Sequence, residues 1–398
     1  MKPETSLLHP EKGLKDPHGA NSFPIYQTAT FAQTSADANG TYDYSRSGNP
    51  TRDQLQAILA ELDQAKYAFA FTTGMAAISA ICRLLKPGDE VLSNADIYGG
   101  THRYFTQILS QLGIHIRFIK ATHLSDIEHD ISSHTKLVWI ETPSNPFQKI
   151  TDIQAVAKLK EKYSFTLCVD NTMISSWAQK PLNLGADIVI QSATKYLSGH
   201  GDVSAGVVTT NSKTLEEHLS FIQNAEGTAL APHESWLLIR GLQTLGLRYD
   251  KQQQNAEKIA KHLLNHDFIK CVHYAGLASH QNHKTHIQQA AGSGCVISFE
   301  TGDKAFSKLI AEATKIFSIS VSFGSIKSSI SLPFYMSHAS ITESLREVPN
   351  DLIRLSAGIE HIDDLITDLE QAFQYAQTKH TINKKQISHS DKINAGTI

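Results

Sequence analysis

The sequence predicts an α/β protein built on a mainly parallel sheet, followed by a smaller C-terminal α+β domain. Two observations carry this. Up to about residue 210, short apolar runs alternate with stretches of helical periodicity, the signature of βα units whose strands are buried on both faces. After about Gly241 the order changes to a long helical pattern, a strand-like run and a closing helix.

Residues 1–48 contain Pro3, Pro10, Pro17 and Pro24 with no sustained period, and they read as an extended arm. From Asn49 the pattern changes. Leu55, Ile58, Leu59 and Leu62 fall at i, i+3, i+4 and i+7 behind Pro50 and Thr51, a helix start with one apolar face. The expected strands are Ala68–Phe71, Val91–Leu92, Ile114–Ile119, Leu137–Ile140, Leu167–Val169, Ile188–Ile190 and Ala205–Val208. They give a large domain over residues 49–246. In the small domain, residues 247–398, a helix is expected over Arg248–Leu264, a strand over Cys295–Phe299 and a helix around Asp363–Tyr375. A polar, mobile tail is expected from about residue 379. No internal repeat is evident.

Composition excludes several function classes. Thirty-six basic against 39 acidic residues give a net charge of -3, and no basic stripe interleaves with aromatics, so nucleic acid is not an expected partner. No stretch approaches the roughly 18 apolar residues of a membrane span. The start of the chain, with Lys2 and Glu4, lacks the apolar core of a signal peptide, so a soluble, cytoplasmic protein is expected. Cys82, Cys168, Cys271 and Cys295 lie far apart without a C-x-x-C pair, which signals neither a zinc knuckle nor a disulfide framework. His280, His283 and His286 match no metal-binding spacing and read as part of a solvated loop, so no metal site is expected.

Ligands of parallel sheets sit outside the carboxyl ends of the strands, and there the chain is conspicuously polar. The run Ile188–Ile190 leads into Ser192, Thr194 and Lys195. The lysine is either a surface charge or a desolvated Schiff-base nucleophile. One strand earlier comes Asp170, either a helix cap or the carboxylate that keeps a pyridine nitrogen protonated. Thr73, Gly74 and Met75 join a strand to a helix, where backbone N–H groups can meet an anion, although many such turns hold no ligand. Tyr98 follows another strand and can cover the core or stack on a flat ring. Together these are the inventory that a phosphorylated pyridine aldehyde needs.

The stretches Tyr44-Ser-Arg46-Ser-Gly-Asn-Pro-Thr-Arg52, Glu141-Thr-Pro-Ser-Asn145-Pro146, Val169-Asp-Asn-Thr172 and Ser192-Ala-Thr-Lys195-Tyr-Leu-Ser-Gly199-His200 resemble the Cys/Met-metabolism family of pyridoxal-5'-phosphate (PLP) enzymes. The resemblance runs from Pro24 to Gly358. It implies the PLP-dependent transferase fold type I, aspartate aminotransferase-like, with a seven-stranded sheet. It also implies that Lys195 holds PLP as a Schiff base and shuttles protons, Asp170 pairs with the pyridine nitrogen, and Tyr98 stacks on the ring and acts in catalysis by helping the incoming amine displace the lysine. Gly74, Met75, Ser192 and Thr194 would cradle the phosphate. Tyr44 and Arg46 would reach the phosphate in a neighbouring subunit of a homotetramer, a dimer of dimers. Arg354 would clamp the substrate α-carboxylate, with Asn145 and Ser322 lining the same pocket.

The substrate class implied is a small sulfur amino acid, and the reaction is cleavage of a carbon–sulfur bond in sulfur amino-acid biosynthesis. Synthases, γ-lyases, β-lyases and sulfhydrylases of the family share these motifs. At Val321, many relatives acting at Cγ of cystathionine carry glutamate, and an apolar residue resembles bacterial β-lyases and some methionine γ-lyases; the chain as a whole resembles the bacterial β-lyase and γ-lyase branch most. Cystathionine β-lyase is therefore the first expectation, ahead of cystathionine or methionine γ-lyase and of cystathionine γ-synthase or O-acylhomoserine sulfhydrylase. Phe323 stands where leucine is usual and Lys327 where glutamate is common. Lys327 reads as either a pocket cation or an outward charge. The spacing Ser192-x-x-Lys195 also occurs in serine acyl-transfer enzymes, but the S-D-N and K-T-G companions are missing. Neither G-x-G-x-x-G after the first strand nor a P-loop is present. A non-catalytic binding protein of this fold would have lost Lys195, Asp170 or Arg354, and all three are present.

Overall fold

A computed structural model describes residues 1–11, 13–37, 40–120, 123–337 and 348–394. Each of the seven expected apolar runs falls on a strand of one sheet: β1 (Tyr67–Phe71), β2 (Glu90–Asn94), β3 (His115–Ile119), β4 (Thr135–Glu141), β5 (Thr166–Asp170), β6 (Ile188–Ser192) and β7 (Gly206–Thr210). Their spatial order is β1-β7-β6-β5-β4-β2-β3. Pairings among β2 to β6 are parallel, and β7 alone runs against its neighbours β1 and β6. Helices cover the faces of this sheet, which is why its strands read as unbroken apolar runs. In the middle of one face Trp139 is fully buried, with the Phe105 ring edge-on to it at 5.5 Å.

The helix Pro50–Asp63 starts and stops for local reasons. Asn49 caps it by accepting a hydrogen bond from the Thr51 N–H at 3.0 Å, and Pro50 fills the first position, where no donor is needed. Gln64, with φ 54°, ends it in the left-handed conformation. Leu55, Ile58, Leu59 and Leu62 are buried, as the periodicity predicts.

The two chain ends depart from expectation. The arm is not extended throughout, because Pro3 opens a helix over Pro3–Leu8 and Leu7 is buried against the helix Pro50–Asp63. A proline read as a breaker here acts as an initiator. At the other end, the helix that starts at Ile362 runs on to Asn394. Its packed face ends near Ala376, but residues 378–394 hold neither glycine nor proline to stop the backbone.

The second sheet has the order β10-β11-β12-β9-β8, from β8 (Cys271–His273), β9 (Val296–Glu300), β10 (Ser318–Ile319), β11 (Ser329–Ser331) and β12 (Leu352–Ser356). It is antiparallel except for β10 beside β11. The helix Leu245–Leu264 joins the two cores, with Tyr249 in the first and Ile259 and Leu263 in the second. Among the described residues, no helix is long and apolar enough to cross a membrane.

Candidate active site

A cavity of about 690 Å³ opens at the carboxyl ends of β4, β5 and β6, walled on its far side by the second sheet. Ten expected site residues line it: Gly74, Met75, Tyr98, Asn145, Asp170, Ser192, Thr194, Lys195, Ser322 and Arg354.

The floor is set by strand register. In the parallel pair β4 and β5, Glu141 lies directly beside Asp170, so two buried carboxyl groups share one sheet end. Asp170 accepts a hydrogen bond from the Thr172 N–H at 3.0 Å, and the Thr172 hydroxyl in turn accepts from the Ser192 N–H at 2.9 Å. Burial raises the Asp170 pKa, while the Thr172 hydrogen bonds and the nearby Lys195 charge pull it back. Glu141 is pushed well above the usual carboxylate range, first by burial and then by the charge of Asp170. The charge of Lys195 favours ionisation of Asp170, whereas the neighbouring charges acting on Glu141 are those of Asp170 and Asp96, which favour its protonated form.

Lys195 sits in the turn after β6. Burial, reinforced by the Arg354 charge and opposed by Asp170, lowers its pKa to about 8. Its Nζ donates to the Ser322 hydroxyl and lies 5.2 Å from the centre of the Phe323 ring. Ser322 belongs to the loop between β10 and β11 and holds φ at 83°, a left-handed conformation uncommon for a residue with a side chain. That backbone turn points its carbonyl at Arg354, whose Nη2 donates to it at 2.8 Å, while Nη1 donates to Asn145 Oδ1 at 3.0 Å. The guanidinium of Arg354 also lies 5.5 Å from the Phe323 ring centre. Burial lowers the Arg354 pKa to about 10, and it stays a cation at neutral pH.

On the opposite wall the helix Gly74–Cys82 points its amino end into the cavity. Thr73 caps it by accepting from the Ala76 N–H at 2.9 Å, and the preceding amides have no intrahelical acceptor. A Cβ at Gly74 would stand 3.2 Å from Ser192 Cβ, filling the gap between helix end and strand. The Thr194 hydroxyl is tied to Ala205, accepting from its N–H at 3.0 Å and donating to its carbonyl at 3.3 Å. Tyr98 is held by its own N–H, which donates to Glu141 Oε2 at 2.8 Å. Its ring needs the glycine two residues on, since a Cβ at Gly100 would come within 2.4 Å of Tyr98 Cε1.

Two expected residues stand apart. Tyr44 and Arg46 do not line this cavity; the Arg46 guanidinium lies 5.3 Å from the Tyr44 ring centre, and its Nε donates to Asn224 at 3.2 Å. Lys327 is exposed, so it is an outward charge and not a pocket cation. Sequence reasoning missed Glu141 as a site residue, although it follows the run Leu137–Ile140 just as Asp170 follows Leu167–Val169.

The donor set fits a phosphorylated pyridine aldehyde. It combines a desolvated amine, a buried acid across from it, a helix amino end with glycine at its mouth, and a phenol ring beside both. Sheet topology and cavity together define a PLP-dependent enzyme of fold type I.

The comparisons with known proteins narrow the class. Residues 4–374 match the Cys/Met metabolism PLP-dependent enzyme family, and the chain belongs to that family. It is 50% identical to the chloroplastic cystathionine beta-lyase of Arabidopsis thaliana, over 90% of this chain and 78% of that one. It is 43% identical to the cystathionine gamma-lyase of Bacillus subtilis, over 94% of this chain and 100% of that one. Among solved structures, the cystathionine gamma-lyase of Lactobacillus plantarum complexed with L-serine superposes with a TM-score of 0.92 at 40% identity, covering 95% of this chain and 100% of the other.

Proposed function

We propose that the protein is a cystathionine β-lyase, converting cystathionine and water to homocysteine, pyruvate and ammonia. Bound at Lys195, PLP supplies an electron sink that acidifies the Cα–H of an amino acid. Asp170 would hold the pyridine nitrogen, Tyr98 the ring face, and the amides of Gly74 and Met75 with Ser192 and Thr194 the phosphate. Arg354, preset by Asn145 and the Ser322 carbonyl, would grip the substrate carboxylate through its remaining N–H groups. Lys195, a desolvated amine whose pKa burial lowers, would take the Cα proton when its amine is free and return it later. Departure of the sulfur from Cβ then needs no second proton removal.

The observation that carries the choice of β over γ chemistry is Val321. It lines the cavity beside Ser322 and puts an apolar wall where a carboxylate would serve substrates reacting at Cγ. The γ-lyase reading stays as the second one, favoured by the full-length match to the Bacillus subtilis enzyme. We further propose a cytoplasmic homotetramer, a dimer of dimers; the position of Tyr44 and Arg46 outside their own chain's cavity fits a role for both at a neighbouring subunit's cofactor phosphate.

The test is turnover of cystathionine by the purified protein, with pyruvate and 2-oxobutyrate assayed separately. Pyruvate as the main keto acid, abolished in Lys195→Ala, is the expected result. Mainly 2-oxobutyrate moves the assignment to γ-lyase, and turnover only with an O-acylhomoserine and an added nucleophile moves it to a synthase.

A further inference from the structure

We infer that the outer edge of the second sheet carries a binding site for a thiophilic divalent cation such as Zn²⁺, formed by Cys271, His273 and Glu300. No spacing in the sequence signals it, because two donors lie on β8 and the third on β9. The antiparallel register sets Cys271 opposite Glu300 and His273 opposite Ser298. Cys271 and His273, two residues apart on one strand, therefore project from the same face. One ligand atom from each of the three lies within 4.8 Å of the other two, and His273 Nε2 is already 2.9 Å from Glu300 Oε1.

The donor set selects the ion. A thiol, an imidazole and a carboxylate suit zinc and exclude the all-oxygen shells of calcium and magnesium. A tetrahedral zinc with bonds of roughly 2.0–2.3 Å places its ligands about 3.5 Å apart, so side-chain rotation of about an ångström closes the three donors around it. The site is open on one side, since β8 is the edge strand and Cys271 is exposed. That leaves water or a small ligand for the fourth position. Lys270 reaches Glu300 at 3.6 Å, but its side chain is 66% exposed and can swing into solvent as the ion enters. The alternative is a plain His273–Glu300 ion pair beside an idle thiol.

Titration of the cofactor-loaded protein with Zn²⁺ by calorimetry decides between them. The expected result is one ion per chain, with affinity falling at least about tenfold in Cys271→Ser and in His273→Gln. Zn²⁺ should raise the melting temperature of the unsubstituted protein and leave that of Cys271→Ser unchanged. With Co²⁺ in place of Zn²⁺, a thiolate-to-metal absorption should appear and be lost in Cys271→Ser. Turnover without added metal should match in all three proteins, which checks that the variants fold. Absence of uptake, or uptake that survives both substitutions, overturns the assignment.

Discussion

Phe323→Leu is the substitution that tests most directly how this site is organised. The Phe323 ring lies under two cations at once, Lys195 Nζ at 5.2 Å and the Arg354 guanidinium at 5.5 Å, both inside the range of cation–π attraction. Leucine fills similar space without the quadrupole. A largely desolvated contact of this kind contributes about 1–2 kcal/mol. Loss of the Arg354 contact alone therefore loosens the proposed carboxylate clamp by roughly five- to thirtyfold. Because Arg354 would hold the substrate before and during reaction alike, the loss should raise KM by about tenfold and leave kcat within about twofold. Phe323→Tyr, which keeps the ring, should retain the original KM. Steady-state kinetics on the three proteins, with melting temperatures as a control for packing, reads this out. An unchanged KM in Phe323→Leu, or equal losses in the leucine and tyrosine variants, would refute the reasoning.

Three further outcomes follow from the site. Glu141 has a folded-state pKa above its unfolded value of roughly 4.3. The folded protein thus holds a proton that the unfolded chain gives up, and stability is lost as pH rises through that window; Glu141→Gln should melt higher than the parent at pH 8, with the difference shrinking towards pH 5. Lys195, lowered to about 8, should react in the cofactor-free protein with an amine-directed reagent along a titration centred near pH 8, and mass spectrometry should find this site labelled ahead of exposed lysines at pH 7. Arg46→Ala should weaken PLP retention at least about tenfold, as expected for a charged contact to phosphate, without lowering the melting temperature of the PLP-free protein; an unchanged affinity measured by equilibrium dialysis would remove Arg46 from the cofactor site.

Much of this was legible in the sequence because a buried parallel strand must be apolar throughout, and each such run announced β1 to β7. The acids and hydroxyls that follow those runs located the cavity. What stayed hidden lacked a period. Strands β10 and β11 have only two and three residues, too short for alternation to register. The helix Pro3–Leu8 depends on docking Leu7 against a distant helix, a tertiary gain that local composition does not reveal. Glu141 opens one of the family-like stretches, yet its importance comes from lying beside Asp170 across a strand pair, and register is invisible in one chain's spelling. Phe323 is similar, since nothing near it in sequence shows that Lys195 and Arg354 converge over its ring.

The cavity wall is divided between two separately built sheets. Lys195, Asp170 and the glycine-led helix end belong to the first, while Arg354 on β12 and the Val321–Phe323 loop belong to the second. Mutations that reshape the second sheet and its loops can therefore change that side of the cavity while Lys195 and Asp170 stay untouched. In evolutionary terms the reactive half can stay fixed while the selecting half drifts. One scaffold can thus supply enzymes that cut, join or exchange sulfur groups without reinventing its chemistry.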